Sequence, residues 1–126
     1  MPTRVALIED NDVFRQALEL LLELRGEIEI VASEPDGSRV VEICAELSPD
    51  VLLVDYRLPG LDGVQIARLV TDACPEVAIV ALTAAAEERE IEAMLEAGAV
   101  ACVRKDEPLD AIIDAVRAAA APVEAG

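Results

Sequence analysis

The chain contains no histidine and no tryptophan, and its only rings are Phe14 and Tyr56. Without imidazole, the Ser-His and Cys-His routes to nucleophilic hydrolysis are closed, and so are the usual imidazole metal sites. With aromatics at 2% of the sequence, large stacking surfaces for bases or sugars are excluded. The core must be built from Ala, Val, Leu and Ile. Basic residues are scarce as well: 10 Lys and Arg stand against 26 Asp and Glu, a formal net charge of −16. Such a surface repels nucleic acid and anionic membranes, so direct nucleic acid binding by this domain is not expected. The longest apolar stretch, Val77 to Ala86, is half of the roughly 20 residues that a membrane-spanning helix needs, and residues 1–15 hold no signal-peptide pattern. Cys44, Cys74 and Cys102 are odd in number and form no C-x-x-C pair, so neither a disulfide framework nor a zinc site is indicated. They read as small core hydrophobes in a reduced cytosol, and the protein as cytoplasmic.

The 126 residues are enough for one domain that buries roughly two-thirds of its unfolded surface. Within them, short β-branched runs alternate with stretches of helical periodicity. Val5 to Ile8 reads as a strand. Asn11 or Asp12 can then cap a helix in which Val13, Ala17, Leu20, Leu21 and Leu24 recur at helical spacing, with Gly26 as its stop. Ile28 to Ala32 is a second strand. After the turn Glu34-Pro35-Asp36-Gly37-Ser38, a helix carries Val40, Cys44 and Leu47 on one stripe and closes at Ser48-Pro49.

The run Val51-Leu52-Leu53-Val54-Asp55 reads as a strand buried on both faces, with a Pro-Gly turn beyond it. Asp62-Gly63 opens a third helix with Ile66, Leu69, Val70 and Ala73 apolar, ended by Cys74-Pro75, and Val77 to Leu82 is the next strand. Glu87 to Ala97 is a fourth helix, with Ile91, Met94 and Leu95 expected inward, Glu88, Glu92 and Glu96 outward, and Gly98 at its end. Ala99 to Val103 is the last strand. Pro108 suits the first position of a fifth helix, whose inner face is Leu109, Ile112, Ile113 and Val116. Five strands alternating with five helices imply an α/β fold, a parallel sheet covered on both faces and wound right-handedly.

The strand ends concentrate chemistry. The first strand runs into Glu9-Asp10, the third ends in Asp55, the fourth is followed by Thr83, and the last leads to Arg104-Lys105. Open parallel sheets keep their ligand crevices at this edge. Three carboxylates gathered there repel one another by roughly 3 kcal/mol per close pair at about 5 Å and an effective dielectric near 20. A bound cation relieves this, and oxygen ligands without His or thiolate select Mg²⁺, Mn²⁺ or Ca²⁺, with Mg²⁺ the one that commonly combines one or two carboxylates with a phosphate oxygen. A carboxylate so placed, with an amine and a hydroxyl beside it, is equipped to attack phosphorus: Asp55 forms an acyl phosphate while Lys105 and Thr83 stabilise its oxygens. Each residue alone has a structural alternative. Asp55 can be a solvated strand end, Glu9 and Asp10 can complement a helix start, Thr83 can be a turn residue and Lys105 a surface cation. Their joint occurrence at four strand ends favours the chemical reading. Asp62 and Gly63 read as turn and cap residues without chemistry.

Four landmarks together carry a resemblance. Ala6-Leu7-Ile8-Glu9-Asp10-Asn11, then Leu52-Leu53-Val54-Asp55 with Leu58-Pro59-Gly60-Leu61-Asp62-Gly63, then Ala81-Leu82-Thr83-Ala84, and finally Gly98-Ala99 leading to Val103-Arg104-Lys105-Asp106 resemble the receiver domain of bacterial two-component response regulators. The resemblance covers essentially the whole chain. It implies a flavodoxin-like, doubly wound five-stranded parallel sheet of order 2-1-3-4-5, with a receiver domain over residues 1–120 and a linker-like tail over 121–126. It also implies phosphoryl transfer from a histidine kinase or phosphotransfer protein to Asp55, with Thr83 and Lys105 contacting the phosphoryl group. Mg²⁺, replaceable by Mn²⁺, is implied on Glu9, Asp10, Asp55 and the backbone carbonyl of Arg57. Lys105-Asp106 resembles the subgroup that precedes a helix-turn-helix DNA-binding output domain, which implies transcriptional regulation in a parent protein.

Two departures stand out. Receivers usually carry Tyr or Phe where this chain has Cys102, so the family's rotating ring is absent. Arg57 lies where the family tunes dephosphorylation, and its long cation can shield an acyl phosphate or compete with metal. The leading expectation is therefore a phosphoacceptor switch and not an enzyme, able to form a homodimer through its first and fifth helices. One alternative is a Mg²⁺-dependent aspartyl-phosphate phosphohydrolase, which by family resemblance needs a second Asp where Arg57 stands. The other is an interaction module that no longer depends on phosphorylation.

Overall fold

Strands form wherever β-branched and leucine runs can be buried on both sides. The computed structural model describes every residue except Met1, Gly26, Ala85, Ala86 and residues 122–126. Along the chain it places β1 (Thr3–Ile8), α1 (Asp12–Leu24), β2 (Ile28–Glu34), α2 (Val40–Leu47), β3 (Val51–Asp55), α3 (Gly63–Ala73), β4 (Ala78–Thr83), α4 (Glu88–Glu96), β5 (Ala99–Arg104) and α5 (Leu109–Ala120). The strands pair in parallel in the order β2-β1-β3-β4-β5. The expected doubly wound sheet is therefore observed, and the central strand β3 is buried along its whole length. Gly26, expected to stop α1, and residues 122–126 of the expected tail lie outside the described residues.

Alternation along the strands divides the core into two layers. Ala6, Ile8, Leu52, Val54, Ile79 and Ala81 face α2, α3 and α4, where they meet Ile43, Cys44, Ile66, Val70 and Met94. Val5, Leu7, Val51, Leu53, Val80 and Leu82 face the opposite way, onto Leu18 and Leu22 of α1 and Ile112, Ile113 and Val116 of α5. Cys44 and Cys74 are buried in the first layer, as small hydrophobes should be, and Cys102 is partly buried against it.

Three helices turn differently from the sequence expectation. In α1 the stripe Val13, Leu20, Leu21 and Leu24 faces solvent, with Val13 80% and Leu24 71% exposed, while Phe14, Leu18 and Leu22 point inward. Leucines on nearly every side of this helix fit two rotational settings, so periodicity alone cannot choose. The N-terminus chooses: the Phe14 N–H donates to Asn11 Oδ1 at 2.9 Å, and the Arg15 guanidinium donates to the Glu9 carbonyl at 2.8 Å. In α3, Ile66, Ala67 and Val70 are buried while Leu69 and Ala73 are exposed. In α4, Met94 is buried and Leu95 is exposed; the buried partner one turn before Met94 is Glu90. Pro108 stands one residue earlier than expected, as the N-cap of α5.

Two glycines are required by their surroundings. Gly98 takes φ +117° directly after α4, a conformation that side-chain-bearing residues rarely adopt, with the Thr71 side chain packed against it. At Gly63 a Cβ would lie 2.6 Å from the Asp55 carbonyl oxygen and 2.8 Å from Tyr56 Cα, so the first turn of α3 can reach the end of β3 only without one. Asp62 caps that turn in a reciprocal pair with Gln65, each side chain bonding the other's backbone N–H at 2.9 Å.

Candidate functional site: an acidic crevice at the carboxyl edge of the sheet

Adjacent strands β1 and β3 end side by side, with Ile8 paired to Val54. Glu9 therefore stands next to Asp55, and both are almost completely buried, whereas Asp10 is exposed at the rim. The three carboxylates each bring an oxygen to within 4.8 Å of the others. Neighbouring β4 adds Thr83, one residue past Leu82, the register partner of Asp55. Lys105 follows β5, and its backbone N–H bonds the Thr83 carbonyl at 2.8 Å.

Lys105 reaches back across β4 to the acids. Its ammonium donates to Asp55 Oδ2 at 2.8 Å, forms a close ion pair with Glu9, and sits 5.1 Å from the centre of the Phe14 ring. Burial alone would lower the Lys105 ammonium, and its bonds to Asp55 and Glu9 outweigh that and raise it, so it stays charged. Burial, followed by a hydrogen bond with Asp55, pushes the Glu9 carboxyl from 4.5 to about 7 against the opposing pull of Lys105. The crevice is thus an anion-rich site whose repulsion, relieved in part by the Lys105 ammonium, helps to raise the Glu9 carboxyl.

Two further observations describe what could enter. The donors are all oxygen, the set that suits a hard divalent cation, and the raised Glu9 carboxyl is in keeping with a place where positive charge is wanted. The Thr83 hydroxyl is buried and has no hydrogen-bond partner among the described residues. A buried unpaired hydroxyl calls for an explanation, and a ligand oxygen at this position would supply one.

The structure brings Glu9, Asp10, Asp55 and Lys105 together as the sequence predicts and sets Thr83 at the next strand end. Asp62 and Gly63 serve as cap and close-packing residue, in keeping with their reading as structural. Arg57, in the loop after β3, is tied to the site through its backbone, whose N–H donates to Asp55 Oδ1 at 3.2 Å, while its guanidinium lies 3.5 Å from the Glu90 carboxylate. Sequence reasoning missed Phe14 as the ring under Lys105, Arg15 as a clamp on the Glu9 carbonyl, and Glu90. The spacing Glu90, Met94, Ala97 was the available signal for Glu90, since it is the buried face of α4. At Cys102 the thiol lies 4.0 Å from the Ile91 carbonyl, and burial raises it above its ordinary range.

Comparison with known proteins agrees with this geometry. The family model of the response regulator receiver domain matches residues 5–117. Among characterised relatives, the transcriptional regulatory protein LiaR of Bacillus subtilis is 34% identical over 116 residues, which is 92% of this chain and 55% of LiaR. The chain spans about half the length of the curated relatives it matches. Among solved structures, the signal receiver domain of the response regulator NarL from Mycobacterium tuberculosis superposes with a TM-score of 0.89 at 31% identity, covering 94% of this chain and 96% of that one. A LuxR-family two-component response regulator from Aurantimonas sp. SI85-9A1 shares the fold with a TM-score of 0.90 at 24% identity, over 95% and 86% of the two chains. With its five-stranded order, its acidic crevice and a family match along nearly its whole length, the chain belongs to the response regulator receiver domains of two-component systems.

Proposed function

We propose that this chain is a phosphoacceptor switch in which Asp55 takes a phosphoryl group from the phosphohistidine of a histidine kinase or phosphotransfer protein. The observation that carries the reading is the Lys105 ammonium 2.8 Å from Asp55 in a crevice with Glu9 and Asp10. An Asp55 carboxylate oxygen attacks phosphorus; the P–N bond of the donor breaks as the O–P bond forms, and the imidazole leaves with the electron pair. Lys105 turns from the carboxylates to the phosphoryl oxygens, and the buried Thr83 hydroxyl donates to another. Glu9, Asp10, Asp55 and the Arg57 carbonyl would hold Mg²⁺, or Mn²⁺ in its place. When bound, the ion offsets the acids and the negative charge of the transferring group.

The phosphoryl group adds a charge of about −1.5 to −2, enough to draw Thr83 and Lys105 inward and to bias α4 and β5. In this reading the chain is a switch without turnover of its own substrate, its domain is residues 1–120, and it works in the cytoplasm. No helix among the described residues is long and apolar enough to cross a membrane. LiaR and LnrK of Bacillus subtilis and DegU of Brevibacillus brevis are transcriptional regulatory proteins, so in this reading the switch serves a DNA-binding output in a parent protein or partner. The leucine-rich outer stripe of α1, together with α5, provides the surface for a homodimer. Incubation with a small phosphodonor and Mg²⁺, followed by intact-mass analysis, tests the reading directly: one added phosphoryl group is expected.

A further inference from the structure

Glu90 is a carboxylate in the first turn of α4 with only 7% of its surface exposed. A buried carboxylate is costly unless a cation accompanies it. Among the described residues its ion-pair partner is Arg57, whose own side chain is 73% exposed. Both line an open cleft of about 390 Å³, together with Tyr56, Glu87 and Arg89. Most exposed ion pairs hold little because water serves both partners equally well. This pair is unsymmetrical: Glu90 has been taken out of water and Arg57 has not, so the carboxylate keeps the guanidinium near α4.

The other end of Arg57 is fixed as well, since its backbone N–H bonds Asp55. A guanidinium on a residue two positions from Asp55, whose carboxylate clusters with those of Glu9 and Asp10, has a competing attraction toward the crevice. There it would occupy the oxygens that a divalent cation needs. We propose that Glu90 is a positioning residue that holds the Arg57 guanidinium away from Asp55 and so keeps the acidic crevice open to a divalent cation. The inference rests on the reading of that crevice as the phosphoacceptor and cation site, and adds Glu90 to the residues that govern it.

A double-mutant cycle on the full chain, read by calorimetric titration with Mg²⁺ alone at fixed pH and salt, tests it. Glu90→Gln keeps the size of the side chain and removes its charge; it should weaken Mg²⁺ binding by about fivefold, the scale on which neighbouring groups couple. In an Arg57→Ala background the same change should shift affinity by no more than about twofold, as independent sites do. Glu90→Asp, which keeps the charge, should recover most of the loss. Equal losses in both backgrounds, or no recovery in Glu90→Asp, would overturn the role assigned to Glu90. Arg57→Ala alone gives a second reading that does not depend on replacing a buried residue: a guanidinium already held aside should change Mg²⁺ affinity by less than about twofold when removed, whereas marked tightening would mean that Glu90 does not restrain it. Phosphoryl uptake by the wild type, measured alongside, separates the two claims. Uptake without coupling overturns the role of Glu90 alone, and coupling without uptake overturns the phosphoacceptor reading alone.

Discussion

Lys105 Nζ lies 2.8 Å from Asp55 Oδ2, although the strands that deliver the two residues are separated by β4. The long aliphatic stem spans the intervening strand, and the ammonium serves as the resident counter-charge of the acids. Replacing it with an uncharged side chain of similar length, Lys105→Met, should at alkaline pH, where Glu9 has lost its proton, leave Asp55 and Glu9 to repel each other and lower the stability of the metal-free protein by about 3 kcal/mol. The same change should tighten Mg²⁺ binding by about tenfold, because a competing cation is gone, a gain of about 1.4 kcal/mol. Chemical denaturation and calorimetric titration of the same samples check both halves. Loss of stability without tighter Mg²⁺ binding would separate Lys105 from the cation site.

Glu9 makes the fold sensitive to pH in an unusual direction. Its carboxyl is raised from 4.5 to about 7 by burial and by its hydrogen bond with Asp55, so between those values the folded chain holds a proton that the unfolded chain has lost. The contribution of Glu9 to stability is therefore fully present at or below about pH 4.5, declines as pH rises to about 7, and is constant above that. The full decline is about 3 kcal/mol. Denaturation curves of wild type and Glu9→Gln in EDTA should diverge over this window and run parallel above it, and Mg²⁺ should reduce the divergence by taking the proton's place. Parallel curves throughout would show that Glu9 carries no such proton.

Thr83 holds a buried hydroxyl with no partner among the described residues. Thr83→Val keeps its shape and removes the orphaned group, so stability should be unchanged or raised by about 1 kcal/mol. The variant should still accept a phosphoryl group yet transmit it weakly, seen as smaller amide shift changes in Leu95 to Lys105 than in wild type. A destabilised variant with a full response would contradict both statements.

Gly63 lets α3 start against the end of β3. An added methyl would meet the Asp55 carbonyl oxygen at 2.6 Å, which is backbone and cannot turn aside. Gly63→Ala should cost about 1–3 kcal/mol and displace the Asp55 loop, lowering Mg²⁺ affinity as well. Thermal unfolding that matches wild type would show that the loop yields freely.

Legibility from sequence followed how many physical constraints bear on each segment. Val51 to Asp55 was readable because a strand covered on both faces allows only apolar residues until the chain emerges, and the one charge at its end is conspicuous. The same logic exposed Glu9, Thr83 and Lys105. Strand order was not readable from periodicity, since every inner strand looks alike, and it came from family resemblance. The setting of α1 was misread because leucines surround the helix, and the Asn11 cap and Arg15 clamp that help to orient it leave no periodic signal. Glu90 was hidden within Glu87-Glu88-Arg89-Glu90, where a run of charge looks solvated; its burial depends on Arg57, more than thirty positions earlier in the chain.

The central claim is that Asp55 alone accepts a phosphoryl group in a cation-dependent reaction. Intact-mass spectrometry of wild type and Asp55→Asn after incubation with a small phosphodonor, with Mg²⁺ and with EDTA, tests it most directly. The account predicts one added phosphoryl group on wild type with Mg²⁺, and none on wild type in EDTA or on Asp55→Asn in either condition. Labelling of Asp55→Asn, or a wild type that remains unlabelled with Mg²⁺ present, would contradict it.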